Sequence, residues 1–308
     1  MSLPSHQKIK EGILRPKRVL LYLLNDNDGY NEDGIDLIAQ DWDNLIILDA
    51  CRYDTFESRS DLPGTLEKRI SRGAATPEWL YGNFNDRELK DTVYVTANPM
   101  FHEHEAELGT VFHDVWHLWK EGMGWDYDLQ TVPPETTASY AEKAAEQYPN
   151  KRLIVHFNQP HGPLIGPTAE GSVLGPAKPM RDRSFLYDLW HRLRFSMLTT
   201  DTFQQAYAET FDITHDAVEQ LLPSLDGKTV ISADHGEMLG ERPWPLPLRH
   251  FSHYRGFYRP ELVEVPWHVI EGDERKEIIT EEPKEDAAKP TVDDEVVSER
   301  LRDMGYIA

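Results

Sequence analysis

The chain has 308 residues, and its 54 Asp and Glu against 32 Lys and Arg give a formal net charge of −22. The length allows a large core in one domain or two, and the single cysteine excludes an intrachain disulfide framework. The acidic balance excludes non-specific binding to nucleic acid, because the phosphate backbone would be repelled.

The composition also bears on the protein's surroundings. Dense carboxylates hold water, and high salt screens their mutual repulsion, so the composition resembles that of proteins from salt-loving cytoplasms. No stretch is long enough for a transmembrane helix, and the apolar run at residues 19–24 lacks the small-residue cleavage site of a signal peptide. We therefore predict a cytoplasmic protein, and the oligomeric state stays open.

Residues 1–40 are predicted to form an N-terminal arm that precedes the first core strand. Its basic residues are Lys8, Lys10, Arg15, Lys17 and Arg18. One interpretation is an amphipathic helix on an anionic membrane surface, which would make the protein membrane-associated. The alternative, which we favour, is an arm packed on the domain.

The first core strand is predicted at residues 44–48, an apolar run too short for a free-standing helix, and it ends at Asp49. Open α/β sheets place their chemistry at the carboxyl ends of strands. Asp49 is therefore a ligand at that edge or the cap of a following helix. Nearby, Arg52 would clamp a phosphate oxygen or pair with Asp54.

A helix is predicted to begin at Thr76. Thr76 suits the N-cap, Pro77 suits the first helical position, and Glu78 adds an acid to the first turn. Free N–H groups and the helix dipole favour an anionic group at such a start.

The middle of the chain alternates predicted strands and helices. A strand is predicted at residues 93–97, tryptophans follow in a loop-rich region, and a helix is predicted at residues 136–147. A further strand at residues 154–157 leads into a loop that contains His161.

Residues 162–205 are predicted to be an insertion. It contains a basic segment with helical spacing at residues 184–199. This helix is either a lid that gathers an anionic substrate or an ordinary amphipathic helix with a solvated face.

A β-branched run at residues 229–233 predicts a buried strand, and Asp234, His235, Gly236 and Glu237 follow it directly. Adjacent side chains of a strand point to opposite faces, but this restriction relaxes where the strand ends. Gly236 allows a sharp turn there. Carboxylate and imidazole can then converge on one cation, and mixed O/N ligation suits zinc, manganese or a similar metal. The alternative is an Asp-His pair in a surface loop.

The end of the chain differs in composition. Residues 271–308 are predicted to be an acidic, proline-punctuated tail with a terminal helix near residues 296–302 docked on the core. Residues 41–270 would then form the catalytic domain.

The two strands that end at Asp49 and at Asp234-His235-Gly236-Glu237 resemble the alkaline phosphatase superfamily, in its sulfatase-like branch. The loop 160–163 resembles that branch's Pro-His-x-Pro loop, and residues 300–306 resemble its frequent Leu-Gly-Tyr ending. The likeness covers roughly residues 40–270 and the last few. It implies an α/β fold in which helices sandwich a mostly parallel central sheet.

The resemblance implies a metal-activated Thr, Ser or modified Cys that attacks phosphorus or sulfur. Carried over, the metal ligands are Asp49, Thr76, Asp234 and His235. Thr76 is the favoured nucleophile, and Ser71 is the alternative. The cofactor is a divalent ion, Mn, Zn, Mg or Ca, and one ion or two would fit.

Three further residues are assigned through the resemblance. His161 matches the family histidine that contacts the ester group or protonates the leaving group. His253 stands where the family often supplies another active-site histidine, and we predict that it binds substrate together with Arg52.

The single cysteine argues against a formylglycine sulfatase. Those enzymes modify a Cys or Ser within Cys-x-Pro-x-Arg. In the five residues that begin at Cys51, the third position is not proline and the fifth position is not arginine. Cys51 is predicted to be a small buried residue. A hydroxyl nucleophile points instead to phosphate esters.

The sequence therefore predicts a metal-dependent hydrolase of phosphate mono- or diesters. Its substrate would be an anionic ester of a small molecule, a glycan or a lipid. Three alternatives stay open: a sulfatase that uses an unmodified hydroxyl, a phosphoryl-headgroup transferase on lipid or glycan, and a non-catalytic relative that binds an anionic glycan.

The charge generates a prediction about salt. The melting temperature should rise as KCl increases from dilute to molar concentration, because salt screens the repulsion between carboxylates. Differential scanning calorimetry over a KCl series checks this. A flat or falling curve would remove the inference of a halophilic protein.

Overall fold

The computed structural model of the chain describes residues 29–176, 197–242, 249–283, 294–304 and 306. Its centre is a seven-stranded sheet. In chain order the strands are β1 (Asn44–Leu48), β2 (Thr65–Ile70), β3 (Glu88–Thr96), β4 (Val111–His117), β5 (Arg152–Phe157), β6 (Thr229–Ser232) and β7 (Glu264–Ile270).

The spatial order of the strands is β2-β7-β6-β1-β5-β3-β4. The run from β6 to β4 is parallel, whereas β7 is antiparallel to both of its neighbours. β1 and β6 are buried along their whole length. Parallel strands covered on both faces carry continuous apolar runs, which is the pattern of residues 44–48.

Helices flank the sheet, and the predicted α/β architecture is confirmed. The described helices are α1 (Tyr53–Arg59), α2 (Thr76–Phe84), α3 (Met100–Leu108), α4 (Pro134–Gln147), α5 (Thr200–Leu221), α6 (Pro260–Val263) and α7 (Asp294–Asp303). α4 packs on β3 and β5 and against α5, whereas α2 packs against α3. Among the residues that the structure describes, no helix combines the length and hydrophobicity needed to span a bilayer.

The carboxyl ends of the parallel strands lie along one edge of the sheet. Ile47 of β1 pairs with Ser232 of β6. Asp49 and Asp234 each lie two residues further along, so they occupy equivalent positions beyond neighbouring strands. The register of the sheet therefore brings the two acidic motifs together.

Several elements differ from the sequence-based expectation. The region expected to be rich in loops contains β4, which includes Trp116, and it is preceded by α3. The antiparallel strands β2 and β7 were also not predicted. β2 is largely exposed, so it has no apolar pattern, and β7 contains Pro266, which is unusual inside a strand.

Parts of the predicted arm, insertion and tail lie outside the described residues, and the division into these regions stays a prediction. The arm is described from residue 29, and there Leu37 is buried and its N–H donates to Oδ1 of Asn83 at 3.0 Å. The basic arm residues are outside the described part of the chain. So are residues 184–196 of the basic segment predicted at 184–199.

The terminal helix α7 docks through one face. Val297, Leu301 and Met304 are buried in the main core at helical spacing. Leu301→Ala should lower the free energy of unfolding by about 3 kcal/mol, because it leaves a cavity under the helix. Urea denaturation at constant high salt measures this.

Glu299→Ala, on the same helix but only partly buried, is the matched control and should change the unfolding free energy by less than about 0.5 kcal/mol. Equal effects of the two substitutions would contradict the docking of α7.

Candidate metal centre

The centre of the site is a pair of aspartates at the edge of the sheet. Asp49 and Asp234 are both fully buried. Asp234 is held by four groups: its Oδ1 accepts from the N–H of Ala50 at 3.0 Å and of His235 at 2.8 Å, its Oδ2 accepts from Oγ1 of Thr76 at 2.7 Å, and its backbone oxygen accepts from the Ser71 hydroxyl.

The loop after β1 is bent, and its Ala50 N–H donates a hydrogen bond to Asp234. Ala50 has φ of 61°, a left-handed conformation that is costly for a residue with a side chain. This conformation accompanies the donation of the Ala50 N–H to Asp234. The Tyr207 hydroxyl of α5 holds the same loop, since it donates to the Ala50 carbonyl at 2.7 Å and accepts from the Arg52 N–H at 3.2 Å.

His235 turns one ring nitrogen toward the two carboxylates. Its Nδ1 lies 2.7 Å from the carbonyl oxygen of Gly236, which can only accept, so Nδ1 carries the proton. Nε2 is thereby left as a ligand atom, 3.5 Å from Oδ1 of Asp49 and 3.4 Å from Oδ2 of Asp234.

Gly236 is required for a reason other than the sharp turn that the sequence suggested. Its φ is not in the left-handed region, but a Cβ at this position would lie 2.2 Å from the carbonyl oxygen of Glu261. The Gly236 N–H donates to the carbonyl oxygen of Leu262 at 2.8 Å. The glycine therefore allows a close approach of two backbones.

Thr76 contacts the pair from the start of α2. Thr76 is the first helical residue and Ala75 is the N-cap, without a side-chain cap hydrogen bond. The expected cap at Thr76 is therefore not formed, because its hydroxyl is engaged by Asp234 and lies 3.3 Å from Nε2 of His235. The Ser71 hydroxyl, by contrast, donates to the backbone oxygen of Asp234 and accepts from the N–H of Gly73.

His156, a residue of β5, also reaches the centre, although it was assigned no role from the sequence. Its Nδ1 lies 2.8 Å from the Tyr94 hydroxyl, and its Nε2 lies 3.9 Å from Oδ2 of Asp234 without a hydrogen-bond partner. Burial lowers the pKa of His156 to about 4, so its Nε2 is neutral and able to act as a ligand. The signal was its position on β5, beside β1.

Tyr306 and Asn98 were not predicted as site residues either. The Tyr306 hydroxyl donates to Oδ2 of Asp49, and Nδ2 of Asn98 donates to the same oxygen at 2.6 Å. Oδ1 of Asp49, which faces His235, has no hydrogen-bond partner among the residues that the structure describes. No local sequence pattern connects either residue with Asp49.

The two carboxyl groups differ in acidity. Burial raises the pKa of Asp49 well above its ordinary value, and the neighbouring Asp234 raises it further. Burial also opposes the charge of Asp234. Hydrogen bonds from the Thr76 hydroxyl and the Ala50 N–H favour its charged form, and the pKa of Asp234 is lowered.

The donor set fits a divalent metal ion. Asp49, His156 and Asp234 each offer a ligand atom within 4.8 Å of the others, and Nε2 of His235 lies between the two carboxylates. Two buried carboxylates, a buried Oδ1 without a partner and neutral imidazoles would be balanced by a dication. Carboxylate and imidazole ligands suit zinc or manganese.

A second group of polar side chains adjoins the first. His161, Glu237 and His253 each offer an atom within 4.8 Å of the others. The His253 ring lies 4.3 Å from that of His235 and 5.1 Å from that of His161, measured between centroids. The structure therefore brings both predicted histidines to the centre, together with Glu237, which had no assigned role.

In the second group, contacts and burial both act on the ionisable side chains. The His161 backbone N–H donates to the Asp49 carbonyl at 3.0 Å, and its ring stacks on Tyr306 at 4.5 Å. Burial lowers the pKa of His161 and raises the pKa of Glu237 to about 7. Oε2 of Glu237 lies 3.1 Å from Nδ1 of His253.

Arg52 has its guanidinium engaged by protein groups. It pairs with Asp54, as the alternative interpretation expected, and also with Oε1 of Glu241 at 2.5 Å. Its Nη1 donates to the Glu237 carbonyl at 3.1 Å. A role of Arg52 in substrate binding stays a prediction. Cys51 is fully buried, as expected.

Neither a protein-family model nor a curated protein sequence matches the chain. The chain is similar to a number of solved structures of low identity, and three of them are described here. The C-terminal periplasmic domain of the phosphoethanolamine transferase EptC from Campylobacter jejuni is 15% identical, with 75% of this chain and 78% of that chain covered and a TM-score of 0.46.

The other two are a protein of the alkaline phosphatase superfamily from Vibrio parahaemolyticus (11% identity, 86% of this chain and 69% of that one, TM-score 0.42) and BT1596, a 2-O glycosaminoglycan sulfatase (13%, 78% and 65%, TM-score 0.40). These neighbours include a member of the superfamily that the motifs resemble. At such identities the likeness is one of fold alone.

Asp234→Ala should remove bound metal and activity while leaving the fold largely intact, because the carboxylate contributes ligand atoms rather than apolar packing. Metal analysis of the purified protein and thermal unfolding measure the two effects. Asp216→Ala, which removes an exposed carboxylate of α5, is the control. Wild-type metal content and rate in Asp234→Ala would refute the assignment.

Proposed function

We propose that the chain is a metal-dependent enzyme that cleaves phosphate mono- or diesters with Thr76 as the nucleophile. The observation that carries this proposal is the position of the Thr76 hydroxyl, 2.7 Å from Oδ2 of Asp234 and 3.3 Å from Nε2 of His235. A threonine that only began a helix would not need a hydroxyl among buried carboxylates.

Asp49, Asp234, His235 and Thr76 would hold the metal ion, and His156 is a further donor beside them. When bound, such an ion lowers the pKa of a coordinated hydroxyl and neutralises charge on the ester oxygens. Manganese and zinc fit the mixed donors best.

The hydroxyl of Thr76 has a defined route for its proton. Because Oγ1 donates to Asp234, the proton leaves along this hydrogen bond as Oγ1 attacks phosphorus. The bond between phosphorus and the ester oxygen breaks, and the phosphoryl group is carried by Thr76. An acceptor hydroxyl then displaces Thr76 and restores it.

The second half of the reaction requires a base, and His161 is suited to it. Its Nδ1 lies 2.7 Å from the carbonyl oxygen of Gly162, so Nδ1 carries the proton and Nε2 can accept one. Its lowered pKa keeps it neutral. We assign to His161 the role of accepting the proton of the attacking hydroxyl. His253 and Glu237 together donate the proton that the departing group needs.

A second candidate is a transferase that passes a phosphoryl headgroup to a lipid or glycan hydroxyl. It is favoured by the burial of the centre, since Thr76, Asp49 and Asp234 are at most 1% exposed and bulk water has little access. The two activities differ only in the acceptor. Product analysis with and without added alcohol acceptors discriminates between them.

The nucleophile is tested by three variants assayed on phosphate mono- and diesters and sulfate esters with Mn²⁺, Zn²⁺, Mg²⁺ or Ca²⁺ at high salt. Thr76→Ala should lower kcat by roughly 10³-fold or more, because the covalent route is lost. Thr76→Ser retains the hydroxyl and should keep partial activity. Mass spectrometry of quenched enzyme should detect phosphothreonine only where Thr76 is present.

Ser71→Ala is the matched control, since it removes a buried hydroxyl that contacts only the backbone of the site. An inactive Ser71→Ala with a normal Thr76→Ala would move the nucleophile to Ser71. If both variants were fully active, the covalent mechanism would be wrong.

A further inference from the structure

We propose that His102, Glu105 and His117 form a second, peripheral site for a divalent transition metal ion, with Zn²⁺ as the fitting ion. Each of the three offers a ligand atom within 4.8 Å of the other two. His102 and Glu105 lie on α3, and His117 lies at the end of β4, which is an edge strand of the sheet. Asp49 and Asp234 follow other strands, nearer its middle. The proposal does not depend on the reaction assigned to Thr76.

The two elements aim the three side chains at one point. His102 and Glu105 are three residues apart on α3 and therefore lie on the same face of the helix, with Nδ1 of His102 3.4 Å from Oε2 of Glu105. His117 is the last residue of β4, and its ring centroid lies 5.3 Å from that of His102. Two imidazoles and one carboxylate are a common ligand set for zinc.

The surroundings also suit a metal. The buried Trp119 ring lies against both imidazoles, with centroids 5.3 Å from His102 and 5.6 Å from His117. An apolar wall on one side restricts the orientations of the ligands. On the other side, His102 and Glu105 are 27% and 34% exposed, so an ion can enter and a water molecule can complete its coordination.

A cavity of about 320 Å³ adjoins the group on the side of His102. It is lined by His102, Glu103, Val297 and Ser298, between α3 and the terminal helix α7.

A metal ion bound at this site would stabilise the contacts of α3 with the edge of the sheet where Asp49 lies. The Met100 N–H, in the first turn of α3, donates to Oδ1 of Asn98 at 2.8 Å, and Nδ2 of Asn98 donates to Asp49. Binding at His102 and Glu105 ties this helix to β4. The position of Asn98, and through it the orientation of Asp49, is thereby fixed from outside the catalytic centre.

The test uses the full chain with Asp234→Ala as the parent, which removes the catalytic ligand, and Zn²⁺ alone as the probe. His102→Ala in this parent should lose one equivalent of Zn²⁺ at about 10 µM free metal, measured by equilibrium dialysis and elemental analysis. Glu105→Gln, which keeps the size of the side chain, should weaken binding at least tenfold. The melting temperature of the parent should rise by about 3–6 °C with Zn²⁺, and that of His102→Ala should not.

The chain offers a matched control on the same helix. His104 also has a glutamate three residues later, with Nδ1 3.8 Å from Oε2 of Glu107, but within the described part of the chain no third ligand joins this pair. His104→Ala should therefore keep the full Zn²⁺ equivalent and the shift in melting temperature.

Two results would overturn the peripheral site. One is a parent that binds no Zn²⁺ at 10 µM, and the other is equal Zn²⁺ binding by His102→Ala and His104→Ala. Failure of the catalytic assignment is seen separately, as an Asp234→Ala variant that keeps the metal content and rate of the wild type.

Discussion

Two carboxyl groups, Asp49 and Asp234, are buried together at one edge of the sheet. Each buried charge costs several kcal/mol, and two of like sign in one place cost more. The two carboxyl groups differ in the number of hydrogen bonds that offset this cost. Asp234 receives two backbone N–H groups and the Thr76 hydroxyl, whereas one oxygen of Asp49 has no partner in the described part of the chain. A bound cation would balance two carboxylates arranged in this way.

The loops at this edge follow from that constraint. Ala50 adopts a left-handed conformation while its N–H donates to Asp234, and Gly236 lacks a side chain so that its backbone can approach that of Glu261. Such local costs are sustained because the strands beneath are rigid: β1 lies between two parallel neighbours and is fully buried. The rigid sheet holds these loops in place, and the loops orient the side chains of the centre.

The sequence predicted the parts of this design that are local. Residues 44–48 and 229–233 are apolar runs that end in acids, and their strand character and burial could be inferred from hydrophobicity alone. The position of Thr76 could be anticipated from the proline and acid that follow it. His156, Asn98 and Tyr306 could not, because their contacts with the centre depend on strand order and on the docking of α7. α3 was missed because its His and Glu residues give no strong apolar stripe, and β7 because it contains a proline.

The hydroxyl of Tyr306 reaches an aspartate that lies 257 residues earlier in the chain. A ribosome that adds about 5–20 residues per second needs on the order of ten seconds or more to make that span. During synthesis the sheet can begin to assemble while Asp49 still lacks this donor and His161 still lacks the ring it stacks on. The contact between Tyr306 and Asp49 can therefore form only after the whole span between them has been synthesised.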